Sequence, residues 1–143
     1  MHQEDLQPWI DRLFERKRQI EIERMGLLRE FQEEFPPQRG AKGGYMLVGV
    51  DCGKKRQGCR ECPHSLRWRW YWRPKIKVFW GKQRLTRLPA KFWQSKRTER
   101  VTERFKYYEE EVLRLNKVWK ETQNRIKGIH QAALSAVKFL EKG

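Results

Sequence analysis

Long apolar runs are missing from this 143-residue chain. Nothing in it approaches the ~18 consecutive apolar residues that a membrane span requires, so a transmembrane helix is excluded. Residues 1–6 are polar and acidic and lack an apolar core, so no secretory signal is expected. Cysteine is also sparse. Three cysteines without an export signal argue against a disulfide framework and for a reducing, cytoplasmic setting. Ser65, Ser95 and Ser135 are the only serines, and none lies in a G-x-S-x-G turn. There is no G-x-x-x-x-G-K-[ST] phosphate loop. Of the three histidines, His2 sits in a terminal tail and His130 beside the apolar stripe of a long helical segment. Residues 36–100 hold just Asp51, Glu61 and Glu99, too few carboxylates to cluster around a pair of catalytic metal ions. These absences together argue against an enzyme.

Positive charge is what the chain has in excess. Its 33 Lys+Arg against 18 Asp+Glu give a formal net charge of +15 and a pI near 10.1. The excess is segregated. Residues 1–35 carry −3, residues 101–143 carry +3, and residues 36–100 carry +15. A charge run on its own is most often a solvated face, but confinement of the whole excess to one segment points to a polyanion partner. Aromatics at 13%, with seven Trp, exclude a disordered basic tail.

Both flanks read as helices. In residues 5–35, Leu6, Leu13, Ile20 and Leu27 recur every seventh position. Ile10 and Phe31 fit the companion row, Lys17 and Arg24 interrupt it, and Trp9, Phe14 and Leu28 widen the stripe. Pro8 is tolerated in a first turn, which predicts a start near Leu6, and Pro36-Pro37 predicts the end. Toward the C-terminus, Val101, Phe105, Tyr108, Val112, Leu115, Trp119, Thr122, Ile126, Ile129, Ala133, Ala136 and Leu140 alternate steps of four and three. This 3.5-residue repeat predicts a helix of about 70 Å from near Lys96 to Lys142. A shorter antiparallel N-terminal helix would cover about two thirds of it. The stretch from Ile126 to Leu140 would then need a protein partner or a second copy of the chain.

Between the helices the periodicity changes to two. Residues 45–50 read as a strand, and residues 66–73 alternate strictly. Leu66, Trp68, Trp70 and Trp72 fall on one side, with Arg67, Arg69, Tyr71 and Arg73 on the other. Pro74-Lys75 and Gly81-Lys82 read as turns, Ile76–Trp80 as a further strand, Arg84–Leu88 as a possible last one, and Pro89–Trp93 as the lead into the long helix. An alternating strand needs one buried face, so core packing is the favoured role of the tryptophans and base stacking the alternative. The opposite side spaces its cations about 7 Å apart, with Tyr71 and Phe79 as candidate exposed stacking aromatics. The expected architecture is α+β: a long antiparallel, coiled-coil-like helical pair flanking a small antiparallel β-meander. The segments are residues 1–36 (helix), 37–95 (basic β module) and 96–143 (heptad helix).

All three cysteines fall in Cys52-x6-Cys59-x2-Cys62-x-His64. Together with His64 they form a Cys3His set able to close a tetrahedral structural zinc site that leaves no open coordination position. Gly53 and Gly58 permit the tight turns such a loop needs. Three cysteines with another fourth ligand, or ordinary reduced thiols, are the alternatives. The string Cys52-Gly53-Lys54, the cysteine loop, the aromatic strand and Trp80-Gly81-Lys82 resemble small uncharacterised bacterial proteins over residues 45–93. The resemblance implies a cysteine loop, an aromatic hairpin and flanking coiled helices, and carries no activity with it.

The reading that unites these features is a non-catalytic nucleic-acid-binding accessory factor within a nucleoprotein complex. Arg39 and Lys42 in one loop, Lys54, Lys55, Arg56 and Arg60 in the cysteine loop, Arg67, Arg69, Tyr71, Arg73, Lys75 and Lys77 on the strands, and Lys82 and Arg84 beyond them would meet phosphates. No helix-turn-helix or RNP motif is present to decide between DNA and RNA, and the clustered arginines with exposed aromatics favour RNA slightly. The alternative is an assembly subunit whose long helix docks on a larger protein and whose basic face meets an acidic partner. A direct expectation concerns the metal: elemental analysis of the purified chain should find about one zinc per chain, and Cys59→Ser should abolish it. A zinc-free folded protein would leave the cysteines as ordinary thiols.

Overall fold

The computed structural model describes residues 3–36, 44–50, 65–72, 77–78 and 84–142. In chain order these form helix α1 (Gln3–Glu34), strands β1 (Gly44–Val50), β2 (Ser65–Trp72) and β3 (Lys77–Val78), a short helix α2 (Ala90–Gln94) and helix α3 (Glu99–Lys142). The class is α+β, with an antiparallel sheet and long helices. The cysteine loop and its expected zinc lie outside the described residues.

Contacts divide the chain into two units. The first pairs residues 1–22 with 117–143; the second spans Glu23–Asn116. In the first, α1 and α3 run antiparallel, and Lys17, Ile20, Trp119 and Thr122 are buried. Trp119 is held twice: its indole N–H donates to Glu21 Oε1 at 3.3 Å, and the Lys17 ammonium lies 5.6 Å from its ring. Lys17, which breaks the apolar row in the sequence, is thus a buried member of that row, its stem packed and its charge over an aromatic face.

The second unit contains the sheet, in order β1-β2-β3. β1 and β2 pair in full register from Gly44↔Tyr71 to Val50↔Ser65. β3 supplies two pairs, Tyr71↔Val78 and Trp72↔Lys77. The Arg84–Leu88 segment, expected as a further strand, contributes a single bridge, Trp68↔Leu85, closed by two backbone hydrogen bonds of 2.8 and 2.9 Å. Leu47, Leu66 and Trp68 are fully buried. Trp68 packs edge-on to Phe31 at 5.3 Å, and Phe31 also meets Phe105 at 5.6 Å and Tyr108 at 5.1 Å, each edge to face. One aromatic cluster therefore joins α1, β2 and α3.

Polar ties set the register of this unit. The Asn116 side chain accepts from the Leu66 N–H and donates to the Leu66 carbonyl, both at 2.9 Å. Glu109 accepts from the Leu88 N–H at 2.7 Å. Arg104 grips Glu34 through Nε and Nη2 at 2.7 and 2.8 Å and reaches Glu30 at 3.1 Å, while the Tyr108 hydroxyl donates to Glu34. The hydrogen bond from Arg104, aided by that from Tyr108, holds the Glu34 carboxyl below its ordinary range against the opposing effect of burial.

Helix boundaries depart from expectation at two places. α1 begins at Gln3, so Pro8 lies in its second turn and removes the N–H that would bond four residues back. The run from Pro89 does not lead straight into α3. It forms the separate helix α2, and α3 starts at Glu99, where Thr98 Oγ1 accepts the Val101 N–H at 3.3 Å as a cap.

Two measurements check this packing. Trp68→Ala should lower unfolding stability by about 3–5 kcal/mol in denaturant titration; a loss below 1 kcal/mol would contradict a Trp68-centred core. Because the Glu34 carboxyl is depressed, its stabilising contribution is complete above the ordinary glutamate range and is lost as pH falls through the lowered value. Glu34→Gln should therefore lower stability at neutral pH and flatten the acid limb of the stability–pH curve. An unchanged acid limb would show that the Arg104 pair contributes nothing.

Candidate nucleic-acid interface

Of the residues expected to meet phosphate, Arg39, Lys42, Lys54, Lys55, Arg56, Arg60, Arg73, Lys75 and Lys82 lie outside the described residues, as do Cys52, Cys59, Cys62 and His64. Among the described residues no group of three or more His, Cys, Asp or Glu could hold a metal ion. Arg67, Arg69 and Tyr71 sit on β2, Lys77 on β3, and Arg84 beside the bridging Leu85.

The two faces of β2 do not separate as the alternation suggests. On the tryptophan side Leu66 and Trp68 are core, but Trp70 is 36% exposed and pairs across the strands with Tyr45, ring centroids 5.0 Å apart. On the other side Tyr71 is only 4% exposed. Its ring lies across Gly44 on β1, where an added Cβ would stand 3.0 Å from the phenolic oxygen. The absence of a side chain at Gly44 makes the bed that Tyr71 occupies. Tyr71 is therefore not the exposed stacking aromatic that the alternation suggests. Trp70 is the more accessible ring.

The arginines are graded in the same way. Arg67 is half-buried and donates to the Leu66 carbonyl at 3.1 Å, and desolvation lowers its pKa. Arg69 is 7% exposed. The antiparallel bridge Trp68↔Leu85 brings Arg84 opposite Arg69 on the adjoining segment. Burial first, and the Arg84 charge second, lower the Arg69 pKa. Arg84 itself is exposed. Like charges directly opposite in a sheet oppose one another, and the Arg84 charge acts on Arg69 in that sense.

Exposed cations continue past Arg84. Arg87, Lys91, Lys96 and Arg100 all face solvent, on the segment after the bridge, on α2, in the α2–α3 connection and in the first turn of α3. Over residues 84–100 six cations stand against Glu99 alone. Arg97 differs from the others: its guanidinium stacks 3.6 Å over the Phe92 ring and burial lowers its pKa. The sequence holds this run within its +15 segment, yet reading Pro89–Trp93 as a lead-in to the helix drew attention away from Arg87, Lys91, Lys96 and Arg100.

No helix among the described residues is long and apolar enough to cross a membrane. A scan of protein-family models, a search of curated proteins and a search of solved structures each return no match to this chain.

Proposed function

We propose that this chain is a non-catalytic nucleic-acid-binding factor whose basic β module and the cations that follow it grip the phosphate backbone, with RNA favoured over DNA. The observation that carries the reading is the placement of Arg84 opposite Arg69, continued by exposed Arg87, Lys91, Lys96 and Arg100 in a stretch holding one carboxylate. Guanidinium groups held on adjoining segments make a favourable seat for a polyanion, whose charge neutralises them. Arg69 and Arg67 are partly or wholly desolvated, so their role is to raise the local positive potential; the exposed cations make the phosphate contacts. Trp70, half-exposed on the tryptophan side, offers a ring for an unpaired base. The Cys52, Cys59, Cys62 and His64 loop, closed around structural zinc, would give the module the added stability that so small a sheet needs. The setting that fits is the cytoplasm, within a nucleoprotein complex.

The test uses fluorescence anisotropy of short mixed-sequence single-stranded RNA and DNA across a salt series. Arg84→Glu, Arg87→Glu and Lys91→Glu combined should weaken binding at least about tenfold and flatten the log affinity–log salt slope by about 2, three phosphate contacts at ~0.7 each. These side chains are exposed, so circular dichroism should be unchanged. Unaltered affinity and slope would reject this interface, and failure of every probe to bind at low salt would reject nucleic acid as the partner.

A further inference from the structure

In the unit formed by residues 1–22 and 117–143, a groove of about 590 Å³ runs between α1 and α3. Trp9, Leu13, Ile129 and Ala132 give it an apolar lining. Arg12, Arg16 and Arg125 stand around it, and no carboxylate is among its described lining residues. Trp9 remains 60% exposed even though the Arg12 guanidinium lies 4.8 Å over its ring. Gly128 opens the α3 wall, and a Cβ added there would meet nothing within 4 Å. Glycine inside a helix weakens it relative to alanine, and nothing in this unit packs closely enough to require one at 128. Small residues at 128 and 132, one turn apart, instead let another backbone approach closely. The same row continues past the groove through Ser135 to Phe139, which is 76% exposed.

We propose that this groove seats an amphipathic helix of a partner protein, its apolar stripe on Trp9, Leu13 and Ile129 and its Asp/Glu flanks against Arg12, Arg16 and Arg125. A groove between two antiparallel helices is the seat a third helix takes. Charge selects the occupant: a second copy pairing groove to groove would present the same three arginines and be repelled, whereas an acidic helix satisfies them. Nucleic acid would use the arginines but leave the Trp9–Leu13–Ile129 surface without a counterpart. The proposal is independent of the phosphate-binding reading, since it concerns the other unit.

The experiment introduces the photoreactive residue benzoylphenylalanine into the full chain at Ser135, in the groove row, or at Arg18, on the opposite side of α1. Irradiation in the native cells is followed by mass-spectrometric sequencing of the adducts. The expected result is an adduct at 135, absent at 18, to one protein segment with helical apolar periodicity and net negative charge. A synthetic copy of that segment should bind the purified full-length protein. Arg12→Glu, Arg16→Glu and Arg125→Glu combined, and separately Gly128→Leu, should each weaken it at least about tenfold, with helicity and RNA binding unchanged. Gly128→Leu fills the groove without altering charge, and so keeps the test decisive if the charge-reversed chain misfolds. Adducts at 135 only to nucleic acid, only to a second copy or to a segment without acidic residues would overturn the proposal. So would the lack of any adduct, or binding that survives both variants.

Discussion

Phe31 is the hinge point of the packing in the Glu23–Asn116 unit. Its ring meets Trp68, Phe105 and Tyr108 edge to face, the arrangement that aligns the positive edge of one ring with the negative face of the next. Because Trp68 belongs to the central strand, its indole fixes where β2 lies against both helices. Arg67 and Arg69 take their places one residue to either side of it. The placement of charge on the sheet is therefore a by-product of an aromatic contact on the opposite face.

The helices add a second constraint. Lys17 and Arg24 occupy positions in the seam where apolar residues are the norm, and both are buried. Buried cations at such positions cost desolvation and are best attested as register devices. Lys17 over Trp119 penalises any slipped pairing in the first unit, since a shift by one turn would move the ammonium off its ring. In the second unit the bidentate Arg104–Glu34 pair acts at the other end of α1 in the same sense.

Helices and strands were legible because their periodicities are local. Steps of three and four mark α3 along its length, and strict alternation marks β2. The burial of Tyr71 was not legible, because it depends on Gly44 lying directly across the strand pair, a neighbour 27 positions away that no local pattern announces. Trp70 was misplaced for a related reason: its ring pairs across the strands with Tyr45 and stays 36% exposed. The start of α3 turned on one hydroxyl, Thr98 Oγ1, against the favourable helix formers before it. Of the candidate interface, the net charge and its segregation could be read directly. The pairing of Arg84 with Arg69 could not, because it follows from a single bridge between β2 and a segment without strand alternation around Leu85.

Asn116 has a consequence for how the sheet behaves in a crowded solution. On the side of β2 away from β1, the backbone groups of Leu66 are met by a side-chain amide and those of Trp68 by Leu85, while β3 lies beside Tyr71 and Trp72. An amide carries one donor and one acceptor in nearly the spacing of a peptide group, so Asn116 acts as a one-residue imitation strand where no real strand reaches. Unsatisfied strand edges recruit foreign strands and seed aggregation. By meeting the Leu66 groups from a helix, the molecule covers that part of the strand edge without spending another stretch of chain on it.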